Sequence, residues 1–253
     1  ECDFADSNDI RGTIERLKDK HTQFRNGKLT AKEFGNWQKA IGLNYEPDSL
    51  LMDSELADIV QPADHYVHDW MHCLFVQGIF HTVTWLMFGA IKDAFTSMSL
   101  NKLFQQLYDW TSFWVQPSDI KGSKLQDCFL PKRLESNKRA KVFKCKASDG
   151  LGLYQLIGLW LAFFNMPTGL CKAACNAYLR MCDIIDFLVG CSHEGHNITP
   201  DGLGSRIYQF LNSFVDAGWK YRMHQKFHRL VHFPTHLRNH KFLVSCFVHE
   251  RLQ

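Results

Sequence analysis

Apolar residues recur along this chain mostly at the three-and-four spacing of helices, and rarely at the alternating spacing of strands. Ile10, Ile14 and Leu17 share one helical face, followed by polar His21, Thr22 and Gln23. Thr30-Ala31-Lys32-Glu33 is a capping-box pattern, in which hydroxyl and carboxylate each satisfy a backbone N–H of the other residue. Phe34, Trp37 and Ile41 then form a stripe that stops at Gly42, a predicted C′ position. Leu43 to Asp53 reads as a loop around Pro47, and Ser54 to Ile59 as a short helical turn before Pro62.

A long helix is predicted from about Asp69, with Leu74, Phe75, Ile79, Val83, Leu86 and Met87 as its core stripe. Leu100 to Val115 repeats the pattern with Leu103, Phe104, Leu107, Trp110 and Trp114, and Pro117 closes it; a polar loop follows from Gln116 to Leu125. Leu151 to Phe164 is an apolar helix broken by Pro167 and Gly169, and Leu170 to Val189 is the next. After a turn-rich link from Gly190 to Asn197, Thr199-Pro200 reads as an N-cap with proline at the first helical position, opening a helix to Ala217. Phe242 to Val248 is the best strand candidate. The predicted fold class is mainly α, with few or no strands.

At 253 residues the chain is long enough for one large domain or two small ones. The apolar stretches Cys73–Ile91 and Leu151–Met166 are interrupted by Gln77 and His81 and by Tyr154-Gln155, and the second is shorter than the ~20 residues of a span. With a mean hydropathy of −0.24 they read as core helices, with no membrane partner. Nine cysteines, an odd number set largely in apolar surroundings, fit free thiols in a reducing compartment. The chain opens at Glu1 without a methionine, and so reads as a piece of a longer protein.

Charge is uneven. Residues 1–69 hold 14 acids and 8 bases, and the remainder 21 bases and 12 acids. Lys132, Arg133, Lys138, Arg139, Lys141, Lys144 and Lys146 crowd one segment opposite a single acid, Glu135. No acid occurs between Asp216 and Glu250, where Lys220, Arg222, Lys226, Arg229, Arg238 and Lys241 all fall. Such a surface suits a phosphate-bearing partner, and a solvated face has the same composition.

Two constellations bear on chemistry. His224, His228, His232, His236 and His240 recur at every fourth position, the spacing that stacks side chains on one helical face. Pro234 interrupts that face, so at most His224, His228 and His232 are expected to share it. A zinc site needs further ligands that no spacing supplies, here or at Cys191-Ser192-His193-Glu194-Gly195-His196, and no zinc is predicted. Asp69-Trp70-Met71-His72 sets an acid three residues from an imidazole at the mouth of a very apolar helix; such an acid is more often a helix cap and such a histidine hydrogen-bonded core, and the alternative is a functional pair.

The segment from Leu50-Leu51-Met52-Asp53 through Asp69-Trp70-Met71-His72 to Gly78 resembles the acid-x-Met-His block of eukaryotic DDE transposases of the CACTA and Kyakuja–Dileera–Zisupton groups. Lys226-Phe227-His228, His232-Phe233-Pro234 and Ser245 to Arg251 resemble their closing block. The resemblance implies part of an RNase H-like core whose three carboxylates hold Mg²⁺, with a long helical insertion between the blocks. It makes Glu250 the third carboxylate and a metal ligand, and Asp69 and His72 the acid-x-x-His string; an alternative makes Asp69 the second carboxylate. Lys226, His228 and His232 become active-site support, while His224, His236 and His240 fall outside the pattern.

On this reading residues 1–68 are a helical segment with a loop, 69–217 the insertion, and 218–253 the closing segment with the catalytic-Glu helix. Lys132, Arg133, Lys138, Arg139, Lys141, Lys144, Arg229 and Arg238 are predicted to contact DNA at transposon ends, in the nucleus, with further copies of the chain as partners. The first catalytic Asp residues are expected upstream of Glu1, so the chain is not expected to act alone. The other readings are a non-catalytic helical DNA-binding or protein-interaction module, and a helical membrane or metal protein.

Overall fold

A computed structural model of the chain describes residues 10–41, 43–49, 52–53, 56, 68–115, 124–165, 168–190 and 199–245. The chain divides into two compact units, Glu1–Tyr66 and Val67–Gln253. Among the described residues every regular element is helical, so the mainly α class holds. Phe242–Ser245 is irregular, and the rest of the strand candidate lies outside the described residues.

In the first unit α1 (Ile10–Arg25) and α2 (Ala31–Ile41) pack against each other. The capping box forms: Thr30 N–H donates to Glu33 Oε2 at 2.8 Å, and Glu33 N–H to Thr30 Oγ1 at 3.2 Å. Ile14, Leu17, Phe34 and Met52 make a small core, with Phe24 stacked on Phe34 and His21 on Tyr45. Gly42 and most of Ser54–Ile59 lie outside the described residues.

The second unit holds α3 (Trp70–Phe75), α4 (Ile79–Ala94), α5 (Leu100–Ser112), α6 (Pro131–Ala140), α7 (Ala147–Trp160), α8 (Lys172–Gly190), α9 (Pro200–Asp216), α10 (Gln225–Val231) and α11 (Phe233–His240). Short 3₁₀ turns at Leu125–Phe129 and Lys220–Arg222 and a wide π-type turn at Leu161–Asn165 join them. Thr199 caps α9 as the sequence predicts, accepting from Gly202 N–H.

The single helix expected from Asp69 is two. Gln77 takes φ 47°, and the chain folds so tightly that a Cβ on Gly78 would lie 2.3 Å from the Cys73 carbonyl oxygen. Only glycine fits there. Gly150 plays a similar part where α7 meets α3: its Cβ would fall 2.8 Å from the Phe75 ring. The apolar run Trp70–Ala94 is long enough by composition to cross a membrane, but 67% of its most apolar window is buried in this core. The break leaves helices of six and 16 residues, the longer spanning about 24 Å against a hydrocarbon core of about 30 Å.

α4 lies against α8, which packs along α9, and α9 in turn supports α11. Phe88, Phe104, Phe129 and Phe143 interlock by edge and stacked contacts 5.6–6.5 Å apart. Truncating any one of them to alanine costs about 3–5 kcal/mol. Trp219, Phe227, Leu230, Phe233 and Leu237 belong to this same core, so residues 218–245 fold as part of the unit that contains 69–217. Trp114, expected in the core stripe of α5, is instead 41% exposed beyond the helix end.

Candidate functional site

Asp69 begins the site. Its Oδ1 accepts from the N–H groups of Met71 (2.8 Å) and His72 (3.4 Å), capping α3, while its Oδ2 meets His72 Nδ1 at 2.6 Å. The cap and the acid–imidazole pair therefore coexist: one carboxylate oxygen holds the helix and the other holds the ring. Asp69 is largely covered, with its side chain 14% exposed, while that of His72 is 48% exposed and presents its free edge to solvent.

The second block arrives on α10. Lys226 Nζ donates to the His72 carbonyl at 3.0 Å and to the Val76 carbonyl, placing a cation on the C-terminal carbonyls of α3. In return Cys73 Sγ donates to the Lys226 carbonyl at 3.1 Å. Burial first, and Arg229 after it, lower the Lys226 pKa, with Cys73 opposing. Burial raises the Cys73 thiol to about 12, so it serves as a donor and not as a thiolate. The two sequence blocks meet in one place, 154 residues apart along the chain.

Histidines form the flank. His228 Nε2 and His232 Nε2 lie 3.0 Å apart, so one ring donates its proton to the other. His68 N–H donates to His236 Nδ1 at 3.4 Å, and its ring lies 5.2 Å from that of His236 and 5.9 Å from that of His232. Burial lowers His68 to about 4, helped by His236, Arg229, His232 and His228. Burial also lowers His232 and His236.

The ladder divides differently from its predicted form. His224 leaves it: it is the N-cap of α10, accepting from Lys226 N–H, and its Nε2 faces Thr82. His228, His232, His236 and His240 instead follow one another in ring contact across Pro234. His232 keeps right-handed helical backbone angles, and His236 N–H still donates to the His232 carbonyl at 3.0 Å. Pro234 occupies the first turn of α11, where a missing N–H costs nothing, so the chain starts a new helix without reversing direction. His236, His68 and Cys73 are therefore site residues that the motif reading left out. The fourfold spacing of the ladder was the signal for His236.

Trp70 N–H donates to the Val244 carbonyl at 3.1 Å, which brings the closing segment to the start of α3. Glu250, the predicted catalytic and metal-binding carboxylate, lies outside the described residues, as do Cys191 to His196. Among the described residues no three His, Cys, Asp or Glu side chains form a metal-holding group. Asp69 is the one carboxylate this wall contributes among the described residues, and both its oxygens are engaged. A hard divalent ion needs several oxygen ligands, so the described residues do not by themselves fit Mg²⁺.

The predicted DNA-contacting residues separate into groups. Lys132, Arg133, Lys138, Arg139, Lys141 and Lys144 are exposed on α6 and the loop after it. Arg229 is half-buried on α10 beside His68. Arg238 is exposed and pairs with Asp201 at 2.9 Å. A cleft in the first unit, lined by His21, Phe24, Arg25, Phe34, Gln38 and Tyr45 among others, involves none of the predicted site residues. Compared with protein-family models, with curated proteins and with solved structures, the chain matches none.

Proposed function

We propose that the unit from Val67 onward is part of a DDE-type DNA transposase, in which α3 and α10 build one wall beside the catalytic centre. The observation that carries this reading is the clamp between Lys226 and α3. The two segments that resemble the acid-x-Met-His and closing transposase blocks touch through the very residues of those motifs, Lys226 with His72. In this reading the wall holds Asp69 and His72 in fixed relation, and His228 and His232 support it from behind. Glu250 is the third carboxylate of an RNase H-like core completed by residues upstream of Glu1. Mg²⁺-dependent phosphodiester hydrolysis and strand transfer belong to that intact protein, which acts on transposon ends in the nucleus.

The reading frame upstream of Glu1 provides the first test. It is expected to encode a strand-rich region with catalytic Asp residues, and the extended protein to nick duplex DNA when Mg²⁺ is supplied. Glu250→Gln is expected to abolish nicking and Asp69→Ala to impair it. An upstream frame with no such region, or nicking indifferent to Glu250→Gln, would overturn the assignment.

A second reading, a non-catalytic helical DNA-binding module, is favoured by the exposed basic segment Lys132–Lys144, which none of the site's hydrogen bonds involves. It is distinguished by duplex binding without nicking in the extended protein.

A further inference from the structure

The cations after α6 do not stand alone. Arg222, in the 3₁₀ turn Lys220–Arg222, donates from Nη2 to the Lys141 carbonyl at 2.9 Å, joining segments 81 residues apart. Lys141 ends α6 in a left-handed conformation, φ 55° and ψ 32°, which turns the chain sharply at this point. The loop beyond it is pinned twice: Lys144 N–H donates to the buried Asn137 Oδ1 at 3.0 Å, and Phe143 N–H to the His81 carbonyl at 3.0 Å. The Phe143 ring is fully buried in the aromatic core. The charged side chains therefore spring from a fixed backbone.

The turn that Arg222 ties to Lys141 also bears an aromatic ring. Tyr221 is 77% exposed, with Lys220 and Arg222 on either side in the sequence and Lys141 bound to its turn. The one acid of the α6 segment, Glu135, is already paired with Lys138 at 2.7 Å. The turn's own segment contains no acid between Asp216 and Glu250. Cations on a rigid backbone follow a phosphate chain, and an exposed ring among them offers a face on which an unpaired base stacks. In a duplex the bases are stacked on one another and leave no face for the ring.

We infer that the α6 loop and the Lys220–Arg222 turn form a landing surface for an unpaired nucleic-acid strand, with phosphates on Lys141, Lys144, Lys220 and Arg222 and a base on Tyr221. The surface shares no residue with the Asp69, His72 and Lys226 site, and it stands whether or not the protein cleaves DNA.

The test measures fluorescence anisotropy of the whole chain with labelled oligothymidylate and oligouridylate of about 15 nucleotides and with a duplex of equal length. Binding to at least one single strand, weakening steeply with salt, is expected. Tyr221→Ala is expected to weaken it about 5- to 100-fold, Tyr221→Phe to preserve it, and neither to change duplex binding by more than about twofold. Lys220→Ser is expected to lower the slope of log affinity against log salt by about 0.7. Preference for thymidylate or for uridylate identifies the strand as DNA or RNA. Equal loss of single-strand and duplex binding in Tyr221→Ala, an unchanged affinity in that variant, or no salt-dependent binding to either single strand overturns the inference. None of these outcomes depends on nicking, so the transposase reading stands or falls separately.

Discussion

The ammonium of Lys226 sits 3.0 Å from the carbonyl oxygen of His72, and its own carbonyl receives the Cys73 thiol at 3.1 Å. α3 is only six residues long, too short to hold its shape by its own hydrogen bonds. It is fixed from both ends: Asp69 satisfies its first N–H groups, and Lys226 its last carbonyls. The position of His72 is thus set by a residue from the far end of the chain.

Lys226→Met keeps the length of the side chain and removes the cation. It is expected to cost about 1.5–3 kcal/mol, the range for a hydrogen bond to a charged group. Lys226→Arg, whose planar fork does not match two carbonyls met by one point charge, is expected to recover only part of that. Urea unfolding checks both; a Met variant as stable as the wild type would mean that the clamp is not formed.

Asp69 separates capping from charge. Asp69→Asn keeps an oxygen for the Met71 N–H and is expected to change stability little, because asparagine caps about as well as aspartate. Asp69→Ala removes the cap and is expected to cost about 0.5–2 kcal/mol. Thermal melts of the two variants give the contrast, and an alanine variant no worse than the asparagine one refutes the capping role.

Gly78→Ala is expected to be among the most damaging single changes in the second unit. The added methyl would meet two backbone oxygens, those of Cys73 at 2.3 Å and Leu74 at 2.4 Å, and backbone cannot swing aside as a side chain can. A loss of at least about 3 kcal/mol is expected, read as loss of soluble protein or of its melting transition.

Acid should unfold the protein through its histidines. His68 and His81 both have folded pKa values near 4, burial being the first cause in each, against about 6.5 for an unfolded chain. The folded state disfavours their protonated forms, so between pH 6.5 and 4 the unfolded chain binds more protons. Stability is therefore fully present above about pH 6.5 and lost as pH falls toward 4. Urea midpoints at pH 7.5 and 4.5 should differ markedly in the wild type and less in His68→Asn with His81→Leu. An equal drop in the variant would place the acid sensitivity elsewhere.

Much of this protein was legible along its length. The helical spacing of Leu74, Phe75, Ile79, Val83, Leu86 and Met87 named core residues, all of them fully buried except Leu86, which is half-buried. Thr30-x-x-Glu33 and Thr199-Pro200 named two helix starts. These signals are local: a cap or an amphipathic face is written in residues within a turn or two of each other. The sequence also marked Asp69, His72, Lys226, His228 and His232 as residues worth joining, on motif alone.

Tertiary structure decided what no local pattern contains. It broke the Asp69 helix at Gly78: the apolar stripe continues across Gln77 without a change of period, while Gln77 takes a positive φ and the backbone turns tightly there. It kept four ladder histidines in contact past Pro234, because a proline in the first turn of a helix has no hydrogen bond to lose. It brought His68 to His236, Trp70 to Val244, and Arg222 to Lys141. Such partners lie 81 to 174 residues apart, and sequence spacing cannot name them: contacts at that range depend on how every intervening helix buries its apolar face.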